Sequence, residues 1–325
     1  MTVLVTGAAG FIGYHVSAAL LTRGDTVVGV DDLNPYYDVA LKEARLGRLR
    51  QFPDFTFHRL NIADRGALTR ACASNRPRRV IHLAAQAGVR HSLTNPFAYV
   101  HCNLVGHIEV LELCRHLAEF EHLVYASSSS VYGGNTKFPF AVADRVDTPI
   151  SLYAATKKAD ELMSHSYSHL YSLPATGLRF FTVYGPWGRP DMAAYLFASA
   201  ITKGEPVKVF NHGDMKRDFT YIDDIVKGVL AALDSPPQPN DGAAAHKIYN
   251  LGNHRAESLM RFIAVIEDAF GKKAKIKMED MQPGDVKETF ADIDDVQRDL
   301  GFRPETPIDV GVPRFVEWYR AYHKV

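Results

Sequence analysis

Residues 3–13 read Val3-Leu4-Val5-Thr6-Gly7-Ala8-Ala9-Gly10-Phe11-Ile12-Gly13, and this run decides the fold. Val3-Leu4-Val5 is a short unbroken apolar run, as in a parallel strand covered on both faces. Three glycines spaced by three follow at once, and an amphipathic stretch to Leu21 predicts a helix that Gly24 ends. Thr26-Val27-Val28-Gly29-Val30 predicts the next strand, closed by Asp31-Asp32. Strand, glycine turn, helix, strand and acid thus fit one unit of about thirty residues.

That arrangement suits a dinucleotide. One glycine permits the tight turn, one lets backbone N–H groups approach a pyrophosphate, and one lets the helix pack on the strand. The helix N-terminus adds partial positive charge beside the phosphates. A carboxylate at Asp31 holds a ribose 2′-hydroxyl and repels a 2′-phosphate, which favours NAD over NADP. The spacing Gly-x-x-Gly-x-x-Gly also differs from the usual dehydrogenase pattern Gly-x-Gly-x-x-Gly.

Residues 34–51 are polar and basic, and are expected to form an excursion with a helix at the sheet edge. Phe55-Thr56-Phe57-His58 predicts a third strand, with Asn61-Ile62-Ala63-Asp64 at its carboxyl end, near where an adenine would lie. Arg79-Val80-Ile81-His82-Leu83 predicts a fourth, running into Ala84-Ala85-Gln86-Ala87. Small residues there fit backbone lying against a ligand and fit close helix packing equally well. Asn95-Pro96 opens a helical stretch to about Ala118. Leu123-Val124-Tyr125-Ala126 and Thr176-Gly177-Leu178-Arg179-Phe180-Phe181 predict strands five and six. Strands alternating with helices predict an α/β fold, a Rossmann-type doubly wound parallel sheet with a smaller C-terminal α/β domain. The turn-rich Gly185-Pro186-Trp187-Gly188 sets the expected boundary, giving 1–184 as the cofactor domain and 185–325 mainly for substrate. A segment at 246–252 is expected to return to the sheet, and 236–242, rich in Pro, Asn and Gly, to form a surface loop.

Chemistry is concentrated in Ser151-Leu152-Tyr153-Ala154-Ala155-Thr156-Lys157. Tyr153 and Lys157 fall one helical turn apart on one face. A phenol titrates near pH ~10, and an adjacent ammonium stabilises its anion, which makes Tyr-x-x-x-Lys a proton shuttle for oxidising an alcohol. The spacing also describes ordinary helix-surface pairs. It gains weight from Ser127-Ser128-Ser129-Ser130, placed at the carboxyl edge of the sheet just before it.

Bulk properties narrow the classes. The 325 residues suffice for one large domain or two sharing a cleft. Lys+Arg and Asp+Glu both number 37, which leaves no broad nucleic-acid footprint. Cys72, Cys102 and Cys114 are too scattered for a disulfide framework or zinc, and the histidines lack metal spacing, so no metal is expected. His101 and His107 point to different helix faces and read as solvated or core residues. No run approaches a membrane span and a strand follows Met1 directly, so neither leader nor anchor is expected and a cytoplasmic protein is.

In chain order, residues 6–13, the serine run, Tyr153-x-x-x-Lys157 and Arg217-Asp218-Phe219-Thr220-Tyr221-Ile222-Asp223-Asp224 resemble the extended short-chain dehydrogenase/reductase family over nearly the whole chain. The resemblance is to its nucleotide-sugar epimerases and dehydratases. Residues 151–158 and 181–192 look most like the members that interconvert UDP-glucuronate and UDP-galacturonate. This implies 4-epimerisation of a UDP-sugar through a 4-keto intermediate with tightly held NAD. Tyr153 would take the C4 hydroxyl proton, Lys157 would tune it and hold the nicotinamide ribose, and Ser128 would bond the reacting oxygen. Cofactor contacts are implied for Gly7, Gly10, Phe11, Ile12, Gly13, Asp31, Asn34, Asn61, Ile62, Leu83, Ala84 and Ala85. Substrate contacts are implied for Gln86, Arg90, Ser129, Ser130, Thr182, Arg189, Arg217, Tyr221 and Asp285, with Arg217 the best candidate for the diphosphate.

A C4 ketone makes the C6 carboxylate part of a β-keto acid, which loses carbon dioxide readily. The Arg189 fork is expected to clamp that carboxylate out of alignment with the ketone. Ser129 and Ser130 stand where sugar dehydratases carry Asp-Glu, and Ser130 where decarboxylases carry Glu, so epimerisation is favoured over elimination and decarboxylation. Gln282 stands where UDP-galactose 4-epimerases carry arginine, against a neutral hexose substrate. UDP-glucuronate decarboxylase, UDP-glucose 4-epimerase and a non-catalytic NAD-binding scaffold remain the alternatives. The resemblance also implies a homodimer joined by a four-helix bundle from about 97–118 and 152–171.

Overall fold

The computed structural model describes residues 1–239 and 243–325. Six strands, β1 (Thr2–Thr6), β2 (Thr26–Asp31), β3 (Phe55–Arg59), β4 (Arg79–His82), β5 (His122–Ser128) and β6 (Ala175–Phe180), form a parallel sheet. The chain then leaves it through β7 (Thr182–Tyr184), β8 (Pro206–Val209), β9 (Lys216–Arg217) and β10 (Phe219–Tyr221), and β11 (His246–Leu251) returns to pair with β6. The order β11-β6-β5-β4-β1-β2-β3 is the doubly wound sheet expected from the alternation. β4 is its middle strand, and in β1 beside it all but the first residue are buried.

The sheet carries apolar side chains on both faces and is covered on both. Helices Phe11–Thr22 and Ile222–Asp234 pack together on one face, and Gly106–His116 and Leu152–Tyr171 on the other. On that second face Leu4, Val80, Leu123 and Tyr125 pack with Val110, Leu111 and Cys114 of the helix Gly106–His116.

Three local expectations change. The fifth strand runs on through Ser127 and Ser128, which pair with Arg179 and Phe180 of β6, because no glycine or proline interrupts it. The helical stretch after Asn95 divides into Pro96–Tyr99, a π-helical segment Val100–Val105 and Gly106–His116. The excursion at 34–51 does contain a helix, Val39–Leu49, but it buries Lys42 and Arg45 because both cations find partners inside. Of the loop expected at 236–242, residues 240–242 lie outside the described residues.

Beyond β6 the strands form two-residue to four-residue ribbons, β7 with β10, β9 with β12 (Glu257–Ser258), and β8 with β13 (Lys275–Met278). One buried carboxylate ties them to the end of the sheet. Asp218 accepts from the N–H groups of Asn253 (2.5 Å), His254 (3.1 Å) and Ala291 (3.0 Å) and from Thr220 Oγ1 (2.8 Å). Each such donor left unmet would cost about 1–3 kcal/mol. This junction holds Arg217 and Thr182 beside the carboxyl ends of the sheet strands, since Thr182 N–H donates to the Asp218 carbonyl (3.1 Å).

Candidate active site

The glycine turn is dictated sterically. Gly7 has φ +73°, and a Cβ there would stand 2.8 Å from the Ala84 nitrogen. A Cβ on Gly13 would collide with the Gly7 carbonyl. The helix Phe11–Thr22 begins with no side-chain cap and no acid in its first turn. Its first N–H groups, with Phe11 and Ile12 at the tip, are thus left to an anion, as a dinucleotide pyrophosphate requires. Asp31 Oδ2 accepts from Ala9 N–H (3.2 Å), and Oδ1 from Leu33 N–H (2.9 Å) and Lys42 Nζ (3.3 Å).

The remaining residues expected at a cofactor lie along the same edge. Asn34 is exposed and accepts from Tyr36 N–H (2.9 Å). Asn61 Oδ1 accepts from Ala63 N–H (2.9 Å), and Ile62 is buried against Gly106. Leu83, Ala84 and Ala85 follow β4, where Thr6 Oγ1 accepts from Ala84 N–H (3.2 Å). These groups come from the carboxyl ends of four adjacent strands, so the residues present fit a dinucleotide.

Ser151 caps the next helix by accepting from Ala154 N–H (3.1 Å), which sets Tyr153 in the first turn of Leu152–Tyr171. The Tyr153 ring meets Tyr99 edge-on at 6.1 Å. Lys157, its side chain 3% exposed, donates to the Ala126 carbonyl (2.9 Å) and to Asp160 Oδ2 (3.0 Å). Burial pulls its ammonium toward neutrality, but Asp160 and Tyr153 outweigh burial and the net displacement is upward. The serine run divides its work. Ser127 donates to Glu161 (2.7 Å), and Ser128 accepts from Ser130 N–H (3.1 Å). Ser129 and Ser130 face a cleft that Thr182, Arg217 and Asp285 also line.

At that cleft Arg90 donates to Asp285 (2.7 Å) and lies 4.4 Å over the Phe210 ring. Burial and Arg90 lower the Arg217 guanidinium, and Asp285 opposes them. Arg217 gives one nitrogen to the Lys216 and Lys287 carbonyls. Gln86 is buried and held through its backbone by Asn103. Arg189 grips Asp191 through Nε (3.0 Å) and Nη2 (2.5 Å), and Tyr36 OH also donates to that carboxylate (3.1 Å). The third guanidinium nitrogen of Arg189 has no partner among the described residues; burial lowers the guanidinium, but Asp191, with Tyr37 and Tyr153, raises it.

Tyr221 does not reach the cleft. It is 3% exposed and packs on Tyr184 at 5.6 Å, because β10 is covered on both faces.

A family model described as the NAD dependent epimerase/dehydratase family matches residues 3–252. The chain belongs to that family. A probable UDP-glucuronate 4-epimerase of Rhizobium meliloti (strain 1021) is 49% identical over 331 residues, 98% of this chain and 97% of that one. UDP-glucuronate 4-epimerase 2 of Arabidopsis thaliana is 48% identical over all of this chain and 77% of its own length. The crystal structure of a Bacillus cereus UDP-glucuronic acid 4-epimerase, in complex with UDP-glucuronic acid and NAD, superposes with a TM-score of 0.90 at 33% identity, covering 99% of this chain and 100% of that chain.

Several residues that support this epimerase/dehydratase site escaped the sequence reading. Asn103, on the π-helical segment, bonds both backbone groups of Gln86 and donates to Thr156 Oγ1 (3.0 Å), joining the post-β4 loop to the Tyr153 helix. Arg45 is fully buried and donates to the Ala9 carbonyl (2.9 Å), Tyr37 OH (2.8 Å) and the Trp187 carbonyl (2.6 Å). Glu161 and Arg179 form a buried two-pronged pair (2.8 and 2.9 Å) beneath the serines. An acid one position past Asp160 and an arginine inside an apolar strand were the available signals for that pair.

Proposed function

We propose that the protein catalyses NAD-dependent 4-epimerisation of UDP-glucuronate to UDP-galacturonate. One observation carries the reading: in a sheet whose first strand ends in an uncapped dinucleotide turn, Lys157 is fixed on the Ala126 carbonyl of β5, and Ser151, which caps the Tyr153–Lys157 helix, lines a cleft with Ser129, Ser130, Thr182 and Arg217. Residues 1–184 with β11 hold the cofactor on this reading, and most of 185–325 holds the UDP-sugar. Bound NAD supplies the acceptor, and later the donor, of the C4 hydride.

Tyr153 takes the proton of the C4 hydroxyl as hydride leaves, and gives it back when the ketone is reduced on its other face. Lys157 holds positive charge beside the phenol throughout. Ser128 bonds the reacting oxygen. Arg217, with Arg90 beside it, suits the diphosphate, and Arg189 meets the sugar carboxylate with the nitrogen that Asp191 leaves uncommitted. Ser129 and Ser130 carry no acid or base for elimination.

Incubation of the purified protein with UDP-glucuronate and no added cofactor tests this, with nucleotide sugars resolved by chromatography and mass detection. The expected product has unchanged mass and co-elutes with UDP-galacturonate. A product lighter by carbon dioxide, or none even with NAD supplied, would refute it.

The same reading makes the enzyme a cytoplasmic homodimer. Among the described residues no helix is long and apolar enough to cross a membrane. Phe97 (83% exposed), Val105, Leu162 and Leu170 (66%) stand out on the two helical stretches expected to form the bundle. Light scattering should give twice the chain mass, and Phe97→Glu with Leu162→Glu should halve it. A wild-type monomer would remove the bundle.

A further inference from the structure

The helix that carries Tyr153 and Lys157 buries two consecutive acids, Asp160 and Glu161, and they serve different cations. Glu161 is committed to Arg179, Ser127 and Lys158. Asp160 is fully buried and meets Lys157 through Oδ2 at 3.0 Å, while its Oδ1 has no partner among the described residues. An ammonium has three N–H donors. The Ala126 carbonyl takes one and Asp160 another, which leaves one for cofactor and phenol.

The phenol of Tyr153 also faces Tyr99 and Arg189, the latter paired with Asp191, whereas the groups packed around Lys157 and Asp160 are uncharged. On β4, burial holds His82 well below its usual range, and on the helix Gly106–His116 it lowers His107, so both imidazoles are neutral. Burial raises the Cys102 thiol on the π-helical segment to about 11 and Tyr125 on β5 well above its usual range. Lys157 and Asp160 thus face each other at 3.0 Å in one buried compartment, next to Tyr153.

We propose that Asp160 is a positioning residue of the reaction: it orients the Lys157 ammonium and cancels part of the positive field that Lys157 exerts on Tyr153. A buried lysine without a counter-ion tends to shed its proton, and a phenol facing an uncancelled ammonium ionises more easily. Asp160 thus keeps Lys157 charged and sets the pH window in which Tyr153 works as a base. The proposal rests on the reading of Tyr153 as that base.

Asp160→Asn keeps an oxygen for Lys157 and removes the charge. Both limbs of the pH profile of kcat should move to lower pH by about one unit. A readout independent of turnover is the near-ultraviolet phenolate band of the NAD-loaded protein, taken as the difference from the same protein carrying Tyr153→Phe. That band should also appear at lower pH in Asp160→Asn, and Asp160→Glu should move it back toward wild type. If Asp160→Asn does not fold, Asp160→Ser is read in the same way. Limbs and band unmoved, with a Tyr153-dependent band present in wild type, overturn the proposal alone. Absence of any Tyr153-dependent band in wild type overturns the base assignment and the proposal with it. A merely structural Asp160 would lower Tm and leave both unmoved.

Discussion

Replacing Tyr153 with phenylalanine should cut kcat for UDP-glucuronate by about three orders of magnitude and leave the bound NAD in place. The substitution removes one oxygen and keeps the ring, so the edge-on contact with Tyr99 at 6.1 Å survives. Lys157 is held by Ala126 and Asp160 and does not depend on the phenol for its position. The cofactor turn is formed by β1, β2 and the helix between them, away from the substitution. Rate should therefore fall while NAD content, measured after denaturing the protein, stays at the wild-type level. A loss smaller than about tenfold would mean that another group takes the C4 proton.

Arg189→Ala should lower kcat/KM for UDP-glucuronate by about a hundredfold, the worth of charge-assisted hydrogen bonds to a carboxylate. It should also release some pentose product, since nothing would then hold the C5–C6 bond out of line with the ketone. Among the described residues, the half-buried Asp191 would keep only Tyr36 as a side-chain partner. Arg189→Lys restores the charge without the fork and should recover part of the loss. Steady-state kinetics with mass detection of products decides the matter, and unchanged kinetics in Arg189→Ala would dispose of the clamp.

The readable parts of the chain were those where a backbone constraint forces a residue type or a spacing. Gly7 must accept positive φ and Gly13 must clear a carbonyl, so the turn is written in glycine. Tyr153 and Lys157 share a helix face at any i,i+4 spacing. What stayed hidden depends on contacts between distant segments. Asn103 matters because a π-helical segment turns it toward Gln86 and Thr156, and nothing near it in the chain announces that. Arg45 sits in a stretch whose polar composition points to solvent, yet two of its partners, the Ala9 and Trp187 carbonyls, come from distant loops. Tyr221 differs in the opposite sense. Motif adjacency put it beside Arg217, whereas burial on both faces of β10 turns it into the aromatic layer with Tyr184.

Arg45 joins the Ala9 carbonyl of the glycine turn to Tyr37 and to the Trp187 carbonyl, two residues before Arg189. His15, on the glycine-turn helix, adds a bond from its ring to the Pro186 carbonyl (2.9 Å). The glycine turn proposed to meet the cofactor phosphates and the loop bearing Arg189 are consequently one mechanical piece. Loosening either to let the dinucleotide escape disturbs the other. On the proposed reading, a dinucleotide seated there would be less a visiting reagent than a fixed part, turned over in place.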